Sequence, residues 1–169
     1  IDWVKSQNYK VTRPFVPRTF YAAANPPANL LKAAVIDVET TGISHLNDKI
    51  IELGMVIVEY CPETGQVYRV LETYSALEDP GMPIPKESTQ VHGITDEMVK
   101  DKRIFDAMVA KMLEEVDLVV AHNAAFDRAF VETRFPFFKE KAWACSYAQM
   151  PWKTEGFSAF SLEFLAYKF

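Results

Sequence analysis

Residues 33–42 read AAVIDVETTG, and their alternation bears on both the fold and the place of its chemistry. Ala33 to Val38 is an apolar run broken only by Asp37, the pattern of a central strand covered on both faces. Side chains alternate along a strand, so Asp37 and Glu39 share one face while Ile36 and Val38 share the other. Two carboxylates about 6 Å apart repel by roughly 3 kcal/mol at an effective dielectric of about 20. On a buried strand a proton or a cation has to offset that cost. Oxygen ligands clustered in this way suit Mg²⁺ or Mn²⁺, and Gly42 lets a substrate approach the backbone closely. The competing reading of the pair alone is a strand end whose acids face water.

The segments on either side predict a mixed α/β sheet. Lys49 to Tyr60 and Val67 to Ala76 are rich in strand-forming residues, and the intervening PETG, with Gly65 free to take positive φ, predicts an antiparallel hairpin. Arg69 and Glu72 place the third strand near an edge. Ile104, Met108, Met112 and Val116, with Val109 and Leu113 beside them, predict an amphipathic helix. Leu118 to Ala121 reads as another buried strand, Ala124 to Arg134 as a helix stopped by Pro136, and Trp143 to Cys145 as a short strand. Ser161 is placed to cap a last helix running to Phe169, and Thr95 to cap one beginning at Asp96. An antiparallel meander followed by parallel strands, flanked by helices, is not the strict alternation of a doubly wound sheet.

HNAAFD, residues 122–127, lies where the Leu118–Ala121 strand turns into its helix, and ligands gather at the carboxyl ends of strands in open α/β sheets. Asp127 sits in the first helical turn, where an acid also suits the helix dipole. Phe130 and Val131, three and four residues on, share its face and draw that face toward the sheet. His122 and Asn123 read as supports of the turn, His45 as a solvated loop residue, and Glu52 as a polar partner without an assigned role.

VIDVETTG and HNAAFD, with VHGIT at 91–95 between them, resemble the DnaQ-like superfamily of DEDD 3′-5′ exonucleases, on the pattern of the proofreading epsilon subunit of bacterial DNA polymerase III. The similarity runs from about Ala33 to Phe169. It implies a ribonuclease H-like fold and metal-dependent release of nucleoside monophosphates from a 3′ end, single-stranded DNA being the expected substrate, with RNA as the alternative. Asp37, Glu39 and Asp127 match three of the family's four acidic ligands for two Mg²⁺ or Mn²⁺ ions. Thr40, Thr41, His92 and Phe126 match its contacts to the terminal nucleotide, Phe126 as the aromatic beside the last base or sugar. A DNA polymerase subunit is the implied protein partner. The rival reading is a domain of the same fold that has lost catalysis and serves as a nucleic-acid-binding or polymerase-docking module.

The pattern is incomplete in one respect. The family subtype with a histidine, termed DEDDh, ends with that histidine and, five residues later, a fourth aspartate, whereas here the last histidine is His122 and the last aspartate Asp127. The expectation is therefore an exonuclease domain over 30–169, incomplete at its C-terminal end, with both ends belonging to a longer protein.

Residues 1–29 differ in composition from the rest. Pro14, Pro17, Pro26 and Pro27 suit an extended arm, and its first twenty residues set four cations, Lys5, Lys10, Arg13 and Arg18, against Asp2 alone. Trp3, Phe15, Phe20 and Tyr21 could pack that arm on the body or on a partner. The whole chain, 169 residues with net charge −5, is too acidic to coat nucleic acid, but a metal-bound carboxylate cluster can still grip a few phosphates. With 49% hydrophobic and 24% charged residues it reads as one soluble domain. No apolar run reaches the roughly 20 residues a membrane span requires. Cys61 and Cys145 are too few for a disulfide framework, so inert thiols in a reducing cytoplasm are expected.

Overall fold

The computed structural model describes residues 18–21 and 26–168. Five strands form one sheet in the order β3-β2-β1-β4-β5. β1 (Leu31–Thr40), β2 (Ile50–Tyr60) and β3 (Val67–Leu77) make the antiparallel meander, with Gly65 at φ 70° in its second turn. β4 (Leu118–Ala121) and β5 (Ala142–Cys145) then add in parallel on the other side of β1. β1 is central and β3 lies at an edge, as expected. Part of that edge is occupied by the chain itself: Tyr21 N–H donates to Tyr68 O at 3.0 Å, and Val70 N–H to Thr19 O at 2.9 Å. Phe20 stays exposed there. Residues 1–17 and 22–25 of the arm, Trp3 and Phe15 included, lie outside the described residues.

The core covers one face of the sheet. Ala34, Ile36 and Val38 of β1 meet Leu53, Met55 and Ile57 of β2, and Val119 and Ala121 of β4 join them. Onto this face pack α3 (Asp106–Leu113), α4 (Ala124–Arg134) and a 3₁₀ turn (Pro136–Glu140), through Val109, Leu113, Phe130, Val131, Phe135 and Phe138. The opposite face of β1 is more open, and Val35 is 44% exposed. The expectation of a strand covered on both faces is corrected here: an apolar run tolerates burial without demanding it. The side that carries Asp37 and Glu39 is the open one.

A second, smaller cluster of Ile51, Ile84, Ile94 and Val99, with Leu77 against it, seats α1 (Lys86–His92) and α2 (Asp96–Val99) near β2 and β3. The α3 helix is shorter than its periodicity predicts. Ile104 and Val116 are buried but outside it, and Met108 is 45% exposed. Thr95 occupies the N-cap position of α2 without making the capping bond. Arg134 closes the end of α4, its guanidinium reaching Glu78 and Asp106, both at 2.9 Å. The last helix, α5 (Leu162–Lys168), begins as expected, with Phe164 N–H donating to Ser161 Oγ at 3.3 Å. No helix among the described residues is long and apolar enough to cross a membrane.

Candidate active site

Three carboxylates lie within electrostatic reach of one another at β1. Asp37 and Glu39 project from the same face, as strand alternation requires. Asp127 approaches from the first turn of α4, 3% exposed, its Oδ1 accepting Val38 N–H at 3.2 Å. The acid is thus pinned to the peptide between the other two, facing inward as Phe130 and Val131 predicted. The turn that delivers it depends on Asn123, which takes the left-handed conformation (φ 66°) at the head of α4. Asparagine adopts that conformation more readily than most residues.

A fourth acid stands on the same face. The β1–β2 register sets Glu52 directly across from Glu39 and Gly54 across from Asp37. Ser75 on β3 donates its hydroxyl to Glu52 Oε1 at 3.0 Å. The sequence left Glu52 without a role; counting the antiparallel register back from the loop could have found it. Immediately beyond, the ladder slips between Glu39 and Thr40, an irregularity of the kind that re-aims side chains beside active sites.

The electrostatics follow from this crowding. Burial raises the carboxyl pKa of Asp37, the charge of Glu52 raises it further, and His122 draws it back. Burial raises that of Glu39, with Asp37 and then Glu52 adding to it. Asp127 is pushed from its ordinary 3.8 to about 6, first by burial and then by Asp37, against the pull of N–H groups including Val38's. No lysine or arginine among the described residues pairs with any of the three. In the arrangement seen, no group of three acids, histidines or cysteines among those residues is placed to hold a metal ion, so the case for a cation rests on the chemistry of the donors. The donors are all oxygen, negative and uncompensated, a set that fits a hard divalent cation.

The other expected contacts fall into two groups. Thr40 and Thr41 are buried, and their hydroxyls are engaged within the protein: Thr40 Oγ1 donates to Gly42 O at 2.6 Å and Thr41 Oγ1 to Asp48 Oδ1 at 3.2 Å. Thr41 N–H donates to Lys49 O at 2.9 Å. As placed, these threonines build the turn, and neither hydroxyl is free to donate to a ligand. Ser88 Oγ donates to Thr41 O at 2.7 Å, docking α1 on the same turn. At the end of α1, His92 Nδ1 accepts Ile94 N–H at 3.0 Å, so the ring proton belongs on Nε2, which is buried without a partner. Phe126 is half-buried on α4, its ring 4.9 Å from that of Phe130. His45 is exposed but sets its ring edgewise on Phe130 at 6.3 Å.

Gly42 has a local reason to lack a side chain. A Cβ there would stand 2.6 Å from Asp48 Oδ2, and Asp48 also accepts Ser44 N–H at 2.9 Å. Gly42→Ala is expected to displace that carboxylate and cost about 1–3 kcal/mol, read as a melting temperature several degrees lower. An unchanged melting temperature would contradict the assignment.

His122 supports the turn as expected, its Nδ1 lying 2.9 Å from Ser146 Oγ and its Nε2 2.6 Å from Phe160 O. Cys61 is buried. Burial alone would raise the Cys145 thiol, but N–H groups at Ala148, Ala124, Tyr147 and Asn123 outweigh it and lower its pKa.

The exonuclease family of the RNase T type matches residues 34–162. The chain is 35% identical over 102 residues to the PolC-type DNA polymerase III of Caldanaerobacter subterraneus subsp. tengcongensis, covering 59% of this chain and 7% of that protein. The PolC-type enzyme of Pediococcus pentosaceus is 33% identical over 117 residues, covering 68% and 8%. The chain therefore spans less than a tenth of the length of these relatives. Among solved structures, the metal-free complex of E. coli exonuclease I with single-stranded DNA superposes with a TM-score of 0.59 at 16% identity, over 80% of this chain and 34% of that one. Exonuclease I of Methylocaldum szegediense gives 0.52 at 17%, over 68% and 27%. At such identities the likeness shows the fold, a ribonuclease H-like sheet.

Proposed function

Because this chain belongs to the exonuclease family of the RNase T type, the DnaQ-like group whose motifs it carries, we propose that it removes nucleotides from the 3′ end of a nucleic-acid strand, preferring single-stranded DNA. The observation that carries this reading is the bond from Val38 to Asp127, which holds that acid within electrostatic reach of Asp37 and Glu39, with no lysine or arginine among the described residues paired to any of the three. Those three carboxylates would hold two Mg²⁺ or Mn²⁺ ions. Bound there, the ions would offset charge on the scissile phosphodiester and make water nucleophilic at neutral pH.

The chain's own residues position the strand. The bond from Val38 to Asp127 fixes the acids relative to one another, and the turn at Thr40 and Thr41 floors the seat of the last nucleotide. His92 Nε2–H offers an unspent donor to a sugar or phosphate oxygen. Phe126 offers an aromatic face, which accepts any base, so sequence preference should be weak. The exonuclease I complex with single-stranded DNA and the PolC-type polymerases support a DNA substrate and a replicative polymerase as partner. The histidine and fourth aspartate of the family pattern have no counterpart after Asp127 among these residues. This reading therefore assigns no general base and expects slow turnover from this stretch alone.

The test is incubation of the protein with Mn²⁺ and a 5′-labelled single strand, beside a circular one. The expected result is a ladder shortening from the 3′ end, with nucleoside monophosphates released and the circle intact. Cleavage of the circle would replace exonuclease with endonuclease. Tight strand binding without any release would favour the docking module.

A further inference from the structure

We propose that the groove at the carboxyl ends of β4 and β5, walled by His122, Asn123, Tyr147, Ser158, Phe160 and Ser161, seats one nucleobase of the strand on the 5′ side of the scissile phosphate. This rests on the nuclease reading above and adds a second binding subsite to it.

Its place follows from strand register. β1 and β4 pair in parallel with Val35 opposite Val120, and β4 pairs with β5 with Ala121 opposite Cys145. Continued by one or two residues, the same register sets His122 beside Asp37 and Ser146 beside His122. His122 lies within electrostatic reach of Asp37. The turn at Thr41, with α1 docked on it, lies on the opposite, β2 side of the acids. A strand with its terminal nucleotide on the β2 side and its scissile phosphate at the acids has to leave across β4 and β5, where the groove opens.

The chemistry of the walls fits a base. Tyr147 is 45% exposed, yet its ring is held edgewise by His122 at 5.4 Å and by Phe160 at 6.1 Å. His122 is itself fixed between Ser146 and Phe160, and Trp152 Nε1–H donates to Ser146 O at 2.7 Å. The platform is therefore already ordered, and stacking on it costs little further conformational entropy. Asn123, Ser158 and Ser161 bring amide and hydroxyl groups suited to a base's hydrogen-bonding edge. Among the described residues, no acid, lysine or arginine lines the groove, which argues for a flat neutral group over a phosphate. Its volume, about 810 Å³, lies within the range of small-molecule sites.

The experiment compares two probes, thymidine 5′-monophosphate and a tetrathymidylate, with Ca²⁺ present in place of Mg²⁺ or Mn²⁺ to suppress turnover. Tyr147→Ala should weaken the tetrathymidylate about tenfold or more while shifting the monophosphate less than about twofold, the signature of a lost stacking face. Tyr147→Phe should retain tetrathymidylate affinity and Tyr147→Leu should lose it, so the result does not depend on the alanine variant folding. Unchanged tetrathymidylate affinity in both Tyr147→Ala and Tyr147→Leu would overturn the proposal, and so would an equal loss for the two probes. An unsubstituted chain that binds neither probe would instead overturn the nuclease reading on which this subsite rests.

Discussion

Asp37→Ala is expected to slow nucleotide release by more than about a hundredfold, since even outer partners of metal ligands cost 10–100-fold when removed. The same substitution should leave the melting temperature level or slightly higher. Asp37 shares its face with Glu39 and Glu52, and it is coupled to Asp127. Removing it takes one negative charge out of a crowded patch. Asp37 keeps an exposed surface despite the desolvation that raises its pKa, so water screens that repulsion and the stability gain is small. Turnover measured with Mn²⁺ beside a thermal melt separates the two effects. Activity like that of the unsubstituted protein would remove Asp37 from the mechanism, and a collapsed melt would make it a structural acid.

Asp127→Asn should show a different, pH-dependent signature. In the folded chain this carboxyl is pushed up to about 6 from its ordinary 3.8, so the folded state holds the proton more tightly than the unfolded state does. Its contribution to stability is complete below the ordinary value and is lost as pH rises toward and past about 6. The shift corresponds to about 3 kcal/mol. Asparagine keeps an oxygen to accept Val38 N–H but carries no charge. In the absence of divalent metal, Asp127→Asn should therefore melt roughly 6–12 °C higher than the unsubstituted chain at pH 8, with the difference vanishing near pH 4. Adding Mn²⁺ at pH 8 should stabilise the unsubstituted chain by mass action and the variant far less. A difference in melting temperature independent of pH would show that Asp127 does not carry this charge cost. Catalysis should be lost along with the ligand.

How far these roles could be read beforehand depends on how local their causes are. The pairing of Asp37 with Glu39 follows from strand alternation, and the inward turn of Asp127 from Phe130 and Val131 on its own helix; both were legible. The meander was legible because Gly65 marks its turn. The role of Thr41 was not, because its partners Asp48, Lys49 and Ser88 come from two other segments. The α1 helix was missed because it buries no residue of its own and so shows no apolar period. Apolar composition suggested two covered faces for β1, whereas Val35 shows one face open, since composition does not report which neighbours arrive. Tyr147 had no motif to mark it, and its ring is placed by His122 and Phe160, 25 and 13 residues away in sequence.

Titration of the chain with Mn²⁺, followed by the electron paramagnetic resonance of the free ion, tests most directly whether the three carboxylates form one cation site. Saturable binding is predicted for the unsubstituted chain, with severe weakening in Asp37→Ala, Glu39→Ala and Asp127→Asn alike. Binding that is absent, or that survives all three substitutions unchanged, would contradict the account.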